Sequence, residues 1–73
     1  MKYIFASVRG DDYIAEGETP IEAYKNLIAA ESENGSLWKL GDPYRNKHAV
    51  EQQGFSYLSF DDGAKINIAY KEA

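Results

Sequence analysis

The chain has no cysteine, which excludes disulfide stapling, thiolate chemistry and most structural zinc sites together. No apolar run approaches the roughly 18 residues of a membrane-spanning helix, and no charged stretch followed by a long apolar one opens the chain. Neither a membrane span nor a signal peptide is therefore predicted, and a reducing, cytoplasmic address is the expectation. There is one histidine, His48, with no second imidazole and no supporting Ser–His–Asp order, so a hydrolytic or metal site built on it has little behind it. The six glycines are scattered along the chain and form no phosphate-binding loop. The acid pairs Asp11-Asp12 and Asp61-Asp62-Gly63 lack the alternating ligands and closing Glu of a calcium loop. They read as turns, where Asp accepts local backbone N–H groups and Gly supplies a positive φ. No repeat, low-complexity tract or linker divides the sequence. The expectation is a non-enzymatic chain with no cofactor and no metal.

What is present is a chain of 73 residues, 44% hydrophobic and 27% charged, a globular composition that makes residues 1–73 one small domain with a thin core. Six of its ten aromatic residues are tyrosine. Tyrosine buries a ring while keeping its hydroxyl wet, so it serves a shallow core or a contact surface, and the shallow core is the first expectation. The net charge is −4, unevenly spread: residues 1–35 hold seven acids against three bases, whereas residues 36–54 hold Lys39, Arg45 and Lys47 against Asp42 and Glu51. A net acidic domain is a poor general ligand for DNA or RNA, because phosphate neutralisation by Lys and Arg supplies most of the non-specific affinity. It suits a basic protein partner.

The clearest local signals run from Gly17 to Ala30. Thr19 is placed to cap a helix, Pro20 falls at the first helical position, and Glu22 stands at capping-box spacing from Thr19. Ile21, Tyr24, Leu27 and Ile28 recur at helical spacing as one apolar stripe. The helix flanks are acidic, which argues against a membrane-surface role. The passage from a strand through Gly17-Glu18-Thr19-Pro20 into Glu22-Ala23 is similar to the strand-to-helix passage of HicB-type antitoxin domains; the resemblance is confined to this short stretch and implies no function for the chain.

Residues 2–8 and 13–16 read as an antiparallel strand pair. Within the first, Tyr3, Phe5 and Ser7 share one side and Ile4, Ala6 and Val8 the other; the second side, free of hydroxyls, is the expected core face. The helix is expected to fade through Ser32–Asn34, with Asn34 or Gly35 left-handed. Leu37, Trp38 and Leu40 form a short clump without a period, ended by Gly41. Asp42 followed by Pro43 repeats the cap-then-proline signature, so residues 43–53 are a short helix closed by Gly54 or an irregular loop; Tyr44, Ala49 and Val50 make a poor stripe. Phe55–Phe60 and Ala64–Tyr70 form the strongest strand pair. Two hairpin registers are open, a three-residue loop with Leu58 opposite Ile66 or a two-residue loop with Tyr57 opposite Ile68, and the former is preferred because Leu58 and Phe60 then join the isoleucines. Phe55 and Tyr57 are then left on an open sheet face, which offers a homodimer surface.

The predicted fold is a two-layer α+β domain, an antiparallel sheet of about four strands with one main helix, in the order β-β-α-irregular or short helix-β-β. Trp38, Lys39, Tyr44, Arg45, Lys47 and His48 interleave aromatic and basic side chains, and with Tyr57 they are the candidate partner surface. The expected function is a small soluble binding module that takes a protein partner, as an inhibitor or accessory factor of bacterial or phage type. Single-stranded nucleic-acid binding through the aromatic and basic segment 37–48 is the alternative.

Overall fold

A computed structural model of the chain describes residues 1–8, 10–31, 39–61 and 65–73. Its elements are β1 (Lys2–Phe5), β2 (Tyr13–Glu16), α1 (Pro20–Glu31), α2 (Pro43–Gln52), β3 (Ser56–Asp61) and β4 (Lys65–Glu72). The strands make one antiparallel sheet in the order β2-β1-β4-β3, an α+β fold in which two hairpins lie side by side with β1 against β4. Trp38 and the expected end of α1 at 32–35 lie outside the described residues.

The capped start of α1 forms as its sequence dictates. The Glu22 N–H donates to Thr19 Oγ1 at 3.1 Å and the Ala23 N–H to the Thr19 carbonyl at 2.9 Å. Tyr24 and Leu27 are buried on the sheet and Ile28 half-buried against it. Ile21, expected in the same stripe, is instead 37% exposed, and the fully buried Ala23 takes its place. Two contacts with the strand before it set this rotation. Asn26 Nδ2 donates to the Glu16 carbonyl at 2.8 Å. Gly17 lies so close to the helix that a Cβ there would fall on the Ala23 backbone nitrogen and 2.8 Å from its Cα.

The first strand is apolar on both sides because both sides are covered. Tyr3 and Phe5, not the hydroxyl-free side, join Ala23, Tyr24, Leu27 and Ile68 in the main core under α1. Ile4 and Ala6 pack on the opposite sheet face with Ala49, Val50, Phe55 and Ala69. The sheet thus carries a helix on each face, where the sequence predicts one main helix and leaves residues 43–53 as a short helix or a loop. Phe55, expected on an open face, is buried, and α2 covers that face over β3 and β4. Of the six tyrosines, Tyr3, Tyr24, Tyr13 and Tyr70 belong to the core, with Phe5 5.9 Å from the Tyr24 ring and 6.5 Å from that of Tyr70. Tyr44 and Tyr57 are exposed. Burial pushes the Tyr24 phenol above its ordinary pKa, a packing effect that keeps it neutral.

The β3–β4 register puts Leu58 opposite Ile68, Phe60 opposite Ile66 and Asp61 opposite Lys65. Leu58 therefore shares the core face with the isoleucine strand as expected, but its partner is Ile68 and not Ile66. β3 runs one residue past its expected end and β4 begins one residue later than expected, which shifts the register by two.

The Gly17 contact generates a direct test. Gly17→Ala forces α1 off the sheet or shifts backbone atoms that cannot yield cheaply, and is expected to cost roughly 1–3 kcal/mol of unfolding free energy in a denaturant titration. A change under about 0.5 kcal/mol, the scatter of ordinary surface substitutions, contradicts this account of the helix placement.

Candidate functional site

The candidate surface is built on α2, and the sequence around Asp42 explains why a helix forms there despite little apolar content. Asp42 has extended backbone angles, and its Oδ2 accepts the Arg45 N–H at 2.8 Å, while Pro43 occupies a position where no N–H is required. At the other end Gly54, with φ +78°, turns the chain so that the Phe55 and Gln53 N–H groups both donate to the Ala49 carbonyl, at 3.1 and 3.0 Å.

The helical period then sorts the side chains into two sets. Arg45, Asn46, Ala49 and Val50 turn toward the sheet; Tyr44, Lys47, His48 and Glu51 turn outward. Two of the inward residues are polar, and each is satisfied. Asn46, 2% exposed, accepts from the Ala69 N–H through Oδ1 at 3.2 Å and donates through Nδ2 to the Asn67 carbonyl at 3.1 Å. A backbone donor and a backbone acceptor face it, so the orientation of its amide is fixed by chemistry. Both groups lie on the side of β4 that faces β1. They are free because β1 has turned away: its last contact with β4 is Ala6 N–H to the Ala69 carbonyl, after which Ser7 pairs with Leu40 and the Val8 N–H goes to the Lys39 carbonyl at 2.9 Å.

Arg45 is used as fully. Its Nε donates to the Ser7 carbonyl at 2.9 Å, Nη1 to Gln53 Oε1 at 2.6 Å, and Nη2 to both Asp12 oxygens at 3.1 and 3.0 Å. The pair is mostly buried, with 11% of the Arg45 and 21% of the Asp12 side chain exposed. Asp12 Oδ1 also accepts the Ser7 N–H at 2.9 Å, the local turn bond expected of it, and so ties the β1–β2 connection to α2. The guanidinium lies 5.7 Å from the centre of the Phe55 ring, and Lys71 Nζ lies 4.7 Å from it.

The structure therefore divides the predicted residues. Tyr44, Lys47 and His48 come together on the outer face of α2, with Tyr44 85% exposed. Tyr57, half exposed, stands on the same side of the sheet, opposite Ala69 in register. Lys39 is half-buried ahead of the helix, and its carbonyl accepts the Val8 N–H from the segment after β1. Arg45 points the other way and is spent on internal bonds. Asn46 and Asp12 were not singled out by sequence reasoning as anchors of this helix. The available signal for Asn46 was its place in the Ala49–Val50 stripe once Asp42 is taken as the cap.

Among the described residues no group of three or more His, Asp or Glu side chains is arranged to hold a metal ion, and no helix is long and apolar enough to cross a membrane. Compared with protein-family models, with curated proteins and with solved structures, the chain matches none.

The Arg45–Asp12 contact is tested by a double-mutant cycle. Arg45→Ala and Asp12→Ala are each expected to cost roughly 2–3 kcal/mol, since each strands a mostly buried charge and its backbone partners. Their effects should fall short of additivity by about 1 kcal/mol or more; additive losses contradict a direct pair.

Proposed function

We propose that the chain is a non-enzymatic binding module of the cytoplasm, an inhibitor or accessory factor of bacterial or phage type, that engages a protein partner through the outer face of α2. The observation that carries this reading is Tyr44, an aromatic side chain 85% exposed on a helix capped at both ends and pinned from beneath. Covering a ring so placed recovers about 1.5–3 kcal/mol of burial, and the rigid helix keeps the entropy lost on contact small. Lys47 and His48 flank it with polar and charged groups, and Tyr57 adds a second exposed ring on the same side of the sheet. Arg45 is left out of the contact set because its donors face Ser7, Gln53 and Asp12.

Single-stranded nucleic acid is the competing ligand. Tyr44 with Lys47 and His48 supports it, as a stacking ring beside cations, but the net charge of −4 opposes it, as does the commitment of Arg45 to the interior.

The reading is tested by comparing wild-type and Tyr44→Ala proteins as baits in a cell lysate, with thermal melting measured alongside. A specific protein is expected on the wild type, at least about tenfold depleted on Tyr44→Ala, whose melting temperature stays within about 2 °C of the wild type, as a surface change should. Equal capture by the wild type and Tyr44→Ala overturns the proposal. So does binding of a single-stranded oligonucleotide whose affinity falls steeply with salt, which would replace a protein ligand by a nucleic acid.

A further inference from the structure

A second surface, independent of the α2 face, lies at the β2 edge of the sheet. The odd-numbered residues of β2 bond to β1: Ala15 pairs with Tyr3, Tyr13 with Phe5, and the Gly17 N–H donates to the Met1 carbonyl at 3.1 Å. Ile14 and Glu16 therefore direct their main-chain groups away from the sheet. The Glu16 carbonyl is taken by Asn26, which leaves the Ile14 N–H and carbonyl and the Glu16 N–H along an edge. Proteins usually blunt such an edge with Lys, Pro or a bulge, and Tyr13-Ile14-Ala15-Glu16 has none of these. Beside it α1 leaves a groove of about 330 Å³ lined by Ile14, Ala15, Glu16, Asn26, Leu27 and Ala30. The Ile14 side chain, on the other sheet face, is 62% exposed.

Charge selects what would fit there. Asp11 lies at one end of the edge and Glu16 and Glu18 at the other, all exposed; Glu22 shares its helix row with Asn26. Among the described residues, the base on the neighbouring strand is Lys2, opposite Glu16 in register. A second copy of β2 is a poor occupant. Antiparallel pairing of Ile14 with itself sets the exposed Asp11 of each copy opposite Gly17, between Glu16 and Glu18 of the other, and pairing Ile14 with Glu16 sets it beside Glu18, acid against acid in both registers.

We propose that the β2 edge takes up an extended, Lys- or Arg-bearing segment of a protein partner as a fifth strand. Main-chain bonds to Ile14 and Glu16 hold the segment, one apolar side chain of it covers Ile14, and its cations meet the acids at the two ends of the edge.

The test uses the 73-residue chain, isotope-labelled, and two synthetic probes: a capped Thr-based heptapeptide with a central Val and Lys two residues to either side of it, so that Val over Ile14 sets Lys opposite Glu16, and its counterpart with Glu in place of Lys. The Lys probe is expected to slow hydrogen exchange of the Ile14 and Glu16 amides and to bind about tenfold or more tightly than the Glu probe. The Glu16→Lys/Glu18→Lys variant should lose that preference. Absence of protection at Ile14 and Glu16 with millimolar Lys probe overturns the proposal, as do equal affinities for the two probes or an unchanged preference in the variant. Perturbation confined to Tyr44–Glu51 also overturns it, while leaving the α2 face standing; protection of the β2 edge together with equal capture by Tyr44→Ala would have the opposite meaning.

Discussion

The side-chain amide of Asn46 stands in for a strand. Where β1 leaves the sheet after Ala6, β4 keeps an outward N–H at Ala69 and an outward carbonyl at Asn67, and one carboxamide satisfies both. A carboxamide can do this because it offers a donor and an acceptor side by side, as a peptide group does. Left unpaired, the buried Ala69 N–H would cost about 1–3 kcal/mol, and the partly buried Asn67 carbonyl a smaller amount. In a domain whose total stability is expected to be on the order of 5–15 kcal/mol, that is a large share.

This constraint explains how the two helices differ. α1 is held by ordinary apolar burial, with Tyr24 and Leu27 on the sheet and the small Ala23 against Gly17. α2 has one fully buried apolar residue, Ala49, and a half-buried Val50, too little for a ten-residue helix to be stable on its own. Its inward face instead carries Asn46 on β4 and Arg45 on Asp12 and Ser7. With the inner face committed, the same helical period sets Tyr44, Lys47 and His48 outward on a fixed frame. The interior polar bonds and the proposed contact surface are two sides of one short helix.

Much of this was legible in the sequence where local chemistry decides. Thr19-Pro20 and Asp42-Pro43 mark the helix starts, and the clean alternation of Ile66, Ile68 and Tyr70 marks β4. What escaped depends on partners far along the chain. The second sheet face reads as open because two of the four α2 residues that turn toward it, Arg45 and Asn46, are polar and count against burial in any hydrophobic pattern, leaving Ala49 and Val50 as a poor stripe. Arg45 reads as a surface cation until Asp12, 33 residues earlier, is brought beside it. Ile21 fits the α1 stripe by spacing alone, and the close approach of Gly17 to Ala23, with the Asn26 bond to the Glu16 carbonyl, turns it outward. For the candidate surface, Tyr44, Lys47 and His48 follow from position along a capped helix, whereas the removal of Arg45 from that set does not.

The most direct measurement is the unfolding free energy of Asn46→Ala, with hydrogen exchange of the Ala69 amide followed in the same protein. The account predicts a loss of roughly 2–4 kcal/mol, for the two backbone groups left unpaired, and a marked fall in protection at Ala69. A loss under about 0.5 kcal/mol with Ala69 still protected would mean that α2 is held on the sheet by something other than this amide.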